Sequence, residues 1–287
     1  MKSLYDISAP AKLNLFLHIT GQRSDGYHLL QSVFMLIDWC DTLHFDLRTD
    51  GQITREDLDT PLPPEDLIIR AARALKAVSN TPFGVHIGIE KRIPSQAGMG
   101  GGSSDAASTL LALNRLWKIN FSIEELTHIG LKLGADVPFF LGGHNAWVEG
   151  IGEKMTPVTL PKAQFLVLKP AAGLETKLIF SDPYLKRDSE TAIISGFAAD
   201  IFDFGQNNLQ SVAQRLCPDV THGLKWLESQ GLRGRMTGSG SAVFAKTSHI
   251  IDIRSVPSRF QSKLCNNLDK HPLAGWASSG SLSVSSF

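Results

Sequence analysis

The 287-residue chain is predicted to be an α/β (α+β) protein of two domains. Three observations predict it. Alternating apolar residues near the start read as strands. A strand, a glycine run and a helix then follow one another between residues 85 and 117. After Gly150-Ile151-Gly152 the pattern changes to short alternating runs, which sets a boundary near residue 155 and domains at 1–155 and 156–287.

Leu13, Leu15, Leu17 and Ile19 alternate with Lys12, Asn14, Phe16 and His18, so a strand there carries Lys12 and Asn14 side by side on one face. Asp25-Gly26 is a turn signal, and a second strand-like run extends from Leu29 to Ile37. This places Lys12, Asn14, Tyr27 and His28 around one pocket. Pro64, Glu65 and Asp66 open a helix with Leu67, Ile68, Ala71, Leu75 and Val78 on its apolar stripe. Val85, Ile87 and Ile89 form a strand, and Ala106, Ala107, Leu110, Leu113 and Trp117 recur at helical spacing.

Ser122 and Glu125 form a capping box with Phe121 and Leu126 as its staple, and Gly134 is expected to end that helix in a left-handed cap. Asp136 then sits in a short connection before Pro138, as an N-cap or as a functional carboxylate. In the second half, Gln164 to Leu168 reads as a strand. Leu209, Val212 and Leu216 form one helix face, and Val220, Leu224 and Leu227 another ending at Gly231. RGRMTGSGSAVFA reads as two strands joined through Gly238-Ser239-Gly240. Phe260, Leu264 and Leu268, four apart, read as a last helix, and a weakly ordered tail is expected from Ser278.

Lys and Arg number 28 against 28 Asp and Glu, and no basic cluster exceeds a few residues, so a nucleic-acid partner is not expected. Cys40, Cys217 and Cys265 are far apart, with no CxxC and no paired-histidine spacing, which argues for a reducing cytoplasm and against structural zinc. Asp6 lies among the first residues and no apolar run approaches about 18 residues. A cytoplasmic protein with neither signal peptide nor membrane partner is expected.

The segment PSQAGMGGGSSD, residues 94 to 105, carries the strongest functional signal. Its glycines let the backbone approach an anion, and the following helix start presents amides without intrahelical partners and the positive end of the macrodipole. Ser103 and Ser104 add hydroxyls for phosphate or metal. A flexible, serine-capped glycine loop is the plainer alternative. The run is not a Walker loop, because no GK[ST] follows, and Ser103 stands where a dinucleotide fingerprint needs its third glycine.

Three segments stand together: PAKLNLFLHITGQRSDGYH at 10 to 28, PSQAGMGGGSSDAAS at 94 to 108, and RMTGSGSAVFA at 235 to 245. In that order they resemble the three motifs of the GHMP kinases, the superfamily of galactose, homoserine, mevalonate and phosphomevalonate kinases. With LGADVPFFL, the chain is most similar to the branch whose acceptor is a cytidyl diphosphate of methylerythritol. The match departs at Ser95-Gln96-Ala97-Gly98-Met99, where that branch often has a smaller Val/Ala/Gly run and leucine.

The resemblance implies an N-terminal ribosomal protein S5 domain 2-like half and a C-terminal ferredoxin-like half with the site between them. It implies ATP-dependent phosphorylation of the acceptor's 2-hydroxyl, on the non-mevalonate route to isoprenoid precursors, with ATP and Mg²⁺. Asp136 would accept the hydroxyl proton and Lys12 would orient the pair and stabilise the transferring phosphoryl group. A lysine beside an aspartate favours the ionised carboxylate, which weakens it as a base. In a loose transition state the proton leaves late, so alignment is its larger contribution.

ATP would be held by Pro94, Ser95, Gln96, Ala97, Gly98, Met99, Gly100, Gly101, Gly102, Ser103 and Ser104. Asn14 would bond the acceptor, Tyr27 and Phe180 would sandwich the cytosine, His28 would read its edge, and Thr176 would line the pocket. Core packing is the alternative for Phe180. Gly238 and Ser239, in the third motif, would close the site or else form a hairpin turn without ligand contact. Mg²⁺ has no carboxylate cage here, and no protein ligand is assigned to it. A small-molecule substrate and a monomer or weak homodimer are expected. The other readings are a different small-molecule kinase of the superfamily, such as a homoserine kinase, and a non-catalytic nucleotide sensor.

Overall fold

The computed structural model describes residues 2–279. The opening alternation forms a long antiparallel hairpin of β1 (Ser3–Gln22) and β2 (His28–Arg48), turned at Asp25-Gly26, with Lys12 opposite Leu36 and Asn14 opposite Phe34. β3 (Ile53–Asp57) lies parallel to β4 (Gly84–Glu90). β4 pairs with residues 42 to 48 of β2, and β5 (Ala146–Gly150) takes residues 30 to 34, followed outward by β6 (Lys154–Pro157). A second, antiparallel sheet contains β7 (Gln164–Pro170), β8 (Arg235–Met236), β9 (Val243–Lys246) and β10 (Phe260–Asn266), in the order β10-β7-β9-β8.

Side-chain alternation turns these sheets into four layers. Leu43, Phe45, Val85, Ile87 and Ile89 face α1 (Leu67–Ser79), α2 (Gly101–Leu116), α3 (Ile123–Leu131) and α4 (Val137–Gly142). On the opposite face Leu13, Leu15, Val33, Met35 and Ile37 meet Phe165, Val167 and Phe244 of the second sheet. Leu166, Leu168, Val243 and Ala245 point the other way, toward Val212 and Ala213 of α7 (Gln210–Leu216) and Val220 and Leu227 of α8 (Pro218–Ser229). Between β7 and α7 lie two short helices, α5 (Thr176–Phe180) and α6 (Ile194–Ala199). Because both faces of β1 are covered, Lys12 and Asn14 are 4% and 1% exposed. Burying such groups costs free energy unless they are paired, so they must find partners.

Local signals hold where the chemistry is local. Asp66 caps α1 by accepting from the Ile69 amide, a contact typically worth about 1 kcal/mol. Both bonds of the Ser122/Glu125 capping box are present at α3, and Gly231 takes a left-handed conformation just past α8. Gly238-Ser239-Gly240 joins the antiparallel β8 and β9.

Several expectations are corrected. Phe260, Leu264 and Leu268 do not form a helix: residues 260–266 are strand β10, since a spacing of four is two strand periods as well as one helical turn. Gly134 is not a left-handed cap; α3 ends at Leu131 with Lys132 as a right-handed cap, and Gly134 lies in the short turn that leads to α4. Val78 is exposed rather than part of the α1 stripe. Elsewhere the glycine run leads straight into α2, whose cap is Gly100, so Ser103 stands in the helix's first turn.

A division at residue 155 falls inside β6, and the first layers also draw on the end of the chain. The Leu268 amide donates to Leu36 O and the His271 amide to Gly143 O, while Leu273 and Trp276 pack into the first core. Ser278 O accepts from the Ile123 amide; the tail from residue 280 onward lies outside the described residues.

Candidate active site

A cavity of about 1460 Å³ opens where the two sheets and the helical layer meet. Its floor is the loop from Pro94 to Gly100, between β4 and α2, together with the first turn of α2, Gly101 to Ser103. The loop's hydrogen bonds are one-sided. Its carbonyls are taken by other parts of the chain: Gln96 O by the Ser241 amide, Ala97 O by Ala242, Met99 O by Lys12 and Gly100 O by Ser104. Among the described residues the amides of Gly98 to Ser103 donate to nothing in the chain. Six donors without a protein acceptor, at a helix N-terminus, make a fitting cradle for phosphate oxygens.

Two glycines are sterically required for it. Gly98 has φ 71°, and a Cβ there would stand 2.2 Å from Thr237 O; Gly100 has φ 72°, and a Cβ would meet the Phe140 ring at 3.0 Å. The first crossing brings the third motif against the second. The Thr237 hydroxyl also accepts from the Asn14 amide at 2.9 Å, so all three segments converge within one hydrogen-bonded cluster.

Lys12 and Asn14 sit between two bulges of β1, at Pro10/Ala11 and Asn14/Leu17, irregularities that re-aim side chains. Lys12 Nζ donates to Asn14 Oδ1 at 2.6 Å, lies 4.8 Å from the centre of the Phe34 ring, and is 3.7 Å from Asp136 Oδ2. Burial pulls the Lys12 pKa below its ordinary value, with Asp136 opposing. Asn14 Nδ2 donates to Ser32 Oγ, and Ser32 donates to Phe16 O at 2.5 Å, which fixes the amide so that its oxygen faces the lysine. Asp136 occupies the N-cap position of α4 without making a side-chain cap bond, and its side chain is 33% exposed. The carboxylate is therefore free toward the cavity.

At the other end of the cavity stand Tyr27, His28, Thr176 and Phe180. Tyr27 is 61% exposed, ready to be covered. The His28 and Phe180 ring centres are 5.1 Å apart, and Arg187 Nε donates to His28 Nε2 at 3.0 Å. Thr176 Oγ1 and Ser239 Oγ share a 2.7 Å hydrogen bond, closing one wall, with Gly238 beside it. Phe180 is thus on the cavity wall, in addition to packing against the third core. Ser104 alone of the sequence-derived residues does not line the cavity: it is fully buried and its amide is spent on Gly100 O.

Sequence reasoning missed a buried ion cluster beneath the loop. Lys91 Nζ bonds Asp41 and, at 2.8 Å, Asp105, and Asp41 also accepts from the Arg92 and Ile93 amides. One cation faces two carboxyls, and Asp105, its pKa pushed up to about 8 by burial and then by Asp41 against the pull of Lys91, takes the proton. The available signal was Asp105 itself, a charged residue on the apolar face of α2.

Residues 66–144 match the GHMP kinases N terminal domain and residues 191–270 the GHMP kinases C terminal domain. The chain is 77% identical over 286 residues to a 4-diphosphocytidyl-2-C-methyl-D-erythritol kinase of Albidiferax ferrireducens, covering 100% of each. The chain belongs to the 4-diphosphocytidyl-2-C-methyl-D-erythritol kinase family of GHMP kinases. A member from Polaromonas naphthalenivorans is 64% identical, covering 96% of this chain and 97% of its own.

Among solved structures, a 4-(cytidine 5'-diphospho)-2C-methyl-D-erythritol kinase superposes with a TM-score of 0.79 at 31% identity, over 92% of this chain and 98% of that one. A homoserine kinase from Cytophaga hutchinsonii, at 14% identity, 94% and 96% coverage and a TM-score of 0.69, shares the fold. The two-domain GHMP fold expected from the three motifs is therefore found. No helix among the described residues is long and apolar enough to cross a membrane.

Proposed function

We propose that the chain transfers the γ-phosphate of ATP to the 2-hydroxyl of 4-diphosphocytidyl-2-C-methyl-D-erythritol, in the methylerythritol phosphate route to isoprenoid precursors. The observation that carries this reading is the floor of unpaired amides from Gly98 to Ser103, with the Lys12–Asp136 pair at its edge. The amides bind and orient the phosphates of ATP. Lys12, held by Asn14, offers its ammonium to the transferring group, where charge in a loose transition state is spread over peripheral oxygens. Asp136 aligns the acceptor hydroxyl and takes its proton as the bond forms.

Asn14 itself bonds the acceptor. Tyr27 and Phe180 hold the cytosine between them, His28 reads its edge, and Thr176 and Ser239 close the wall over the diphosphate. Mg²⁺ would neutralise phosphate charge here; among the described residues no group of three or more His, Cys, Asp or Glu side chains would cage it, and the Ser103 hydroxyl, beside the amide floor, is the side chain that would be offered to a metal held mainly by water and phosphate. The cytoplasm is the proposed compartment, in keeping with three free cysteines.

An ADP-release assay across the cytidyl diphosphate, homoserine and mevalonate tests this. Turnover confined to the cytidyl compound is expected; preference for homoserine or mevalonate overturns the reading, and no turnover on any of them restores the nucleotide sensor. Tyr27→Ala is expected to raise KM for the cytidyl compound by about 5- to 150-fold, from a stacking contact of about 1–3 kcal/mol, and to leave KM for ATP in place. Equal effects on both would remove Tyr27 from the base site.

A further inference from the structure

The base end of the cavity contains a contact that a stacking platform alone does not need. Arg187, 159 residues from His28 in sequence, points its Nε–H at His28 Nε2 at 3.0 Å. A guanidinium only donates and does not lose its proton in proteins, so the direction of this bond is unambiguous. His28 Nε2 must therefore carry a lone pair. The neutral ring then has its proton on Nδ1, and an imidazolium, with protons on both nitrogens, is disfavoured against the arginine. Burial and then Arg187 also move the His28 pKa below its ordinary value, in the same sense.

Arg187 is itself fixed. Its Nη1 donates to Leu185 O at 3.0 Å, and its Nη2 donates to Phe180 O at 3.1 Å and Asp182 O at 2.9 Å. All three guanidinium nitrogens are engaged, so the arginine cannot swing away from His28 without giving up carbonyl partners. The same group holds the backbone of Phe180, whose ring lies 5.1 Å from the imidazole. Among the described residues no hydrogen bond uses His28 Nδ1, and His28 lines the cavity.

We propose that Arg187 is a positioning residue for base selection: by occupying His28 Nε2 it locks the Nδ1–H tautomer, so that the ring offers the pyrimidine edge a donor and not an acceptor. This rests on the cytidyl reading of the site. Cytosine N3 is an acceptor and matches that donor, whereas uracil carries N3–H and sets donor against donor. Leaving a buried donor facing a donor costs roughly 10- to 100-fold in discrimination. Arg187 makes the choice without touching the base.

Imidazole ¹⁵N chemical shifts of the substrate-free protein, with the His28 signal assigned by its loss in His28→Phe, read the tautomer directly. The Nδ1–H form is expected; the Nε2–H form or an imidazolium at neutral pH overturns the proposal. Kinetics with the cytidyl and uridyl diphosphates of methylerythritol supply the second readout. Arg187→Met is expected to raise KM for the cytidyl compound and shrink the cytidyl-over-uridyl preference at least about tenfold, with kcat nearly kept. In the His28→Phe background the same substitution is expected to have no further effect on that preference.

A preference unchanged by Arg187→Met, or one that falls equally with and without His28, makes the arginine merely structural and sinks its selecting role. If Arg187→Met does not fold, the wild-type tautomer and Arg187→Lys, which keeps a donor and is expected to hold the Nδ1–H form, decide the matter. Failure of the underlying function looks different. Wild-type protein that shows the Nδ1–H form but turns over neither diphosphate overturns the cytidyl reading and the discrimination with it, whereas the Nε2–H form beside normal turnover overturns the role of Arg187 alone.

Discussion

Two lysines flank the phosphate loop, each beside carboxylates, and they are built for opposite purposes. Lys12 lies under Gly100 and Lys91 under Gly101; a Cβ at either glycine would come within 3.3 Å of the respective side chain. Both are nearly buried. Lys91 is clamped between Asp41 and Asp105, and although burial pulls its pKa down, the two carboxyls outweigh it and hold it above the ordinary value. Lys12 has one carboxylate partner, 3.7 Å away and a third exposed, and burial leaves its pKa depressed.

A cation already neutralised by its surroundings has little field left for a ligand, whereas one held by a neutral amide and a distant carboxylate keeps most of it. This difference supports the proposed role of Lys12 at the transferring phosphate, whereas Lys91 ties the start of the loop to Asp41 of β2 and Asp105 of α2. Proximity to the loop does not separate the two; the company each keeps does.

The sharpest way to break this contrast is at the carboxylates. Asp136→Asn is expected to lower single-turnover rate by about 10²- to 10⁴-fold, as for loss of a positioned base, with ATP affinity and Tm nearly unchanged. An unaltered rate would end the catalytic role of Asp136. Lys91→Met is expected to do the reverse. Leaving two carboxyls buried without their cation costs about 3–5 kcal/mol, or roughly 10 °C in Tm, and the loss appears as stability. Should Lys91→Met instead keep its Tm and abolish turnover at saturating ATP, the two lysines would have to exchange roles.

A finer separation comes from pH. If turnover needs charged Lys12, the alkaline limb of the kcat profile is expected below the 10.5 of an unperturbed lysine, since burial lowers its pKa. A limb at or above that value would count against Lys12 acting as a cation.

The smallest expected effect is on Asp105. Its pKa is 3.8 unperturbed and about 8 in the fold, so between those values the folded state holds a proton that the unfolded state has released. Stability tied to this group therefore falls as pH rises through that window. Asp105→Asn fixes the neutral form, and its Tm advantage over the wild type is expected to widen from pH 5 to 8 and then level off. A pH-independent difference would show that Asp105 is ionised in the fold.

What the sequence made legible follows from range. The side-by-side placement of Lys12 and Asn14 needs only the period of a strand, and the unpaired amides need only glycines before a helix. The α3 capping box spans three residues. The Lys91 cluster was invisible because Asp41 sits in β2 among alternating residues that read as ordinary strand, and its burial depends on a loop 50 residues later. The Arg187–His28 contact was hidden for the same reason. β10 was misread because a spacing of four satisfies both periods, and only its pairing with β7 decides between them.

The crossing of Gly98 and Thr237, backbone against backbone, has a consequence for the order in which the protein becomes an enzyme. The nascent chain can complete the first hairpin and α2 early, but the carbonyls of Gln96 and Ala97 wait for donors at Ser241 and Ala242, some 145 residues further along. Closure over so long an interval is slow and carries a large entropic cost. Until Ser241 and Ala242 have left the ribosome, the carbonyls of Gln96 and Ala97 have no partner, and a fragment ending before Thr237 would carry Lys12, Asn14 and Asp136 yet lack the strut that completes the phosphate loop.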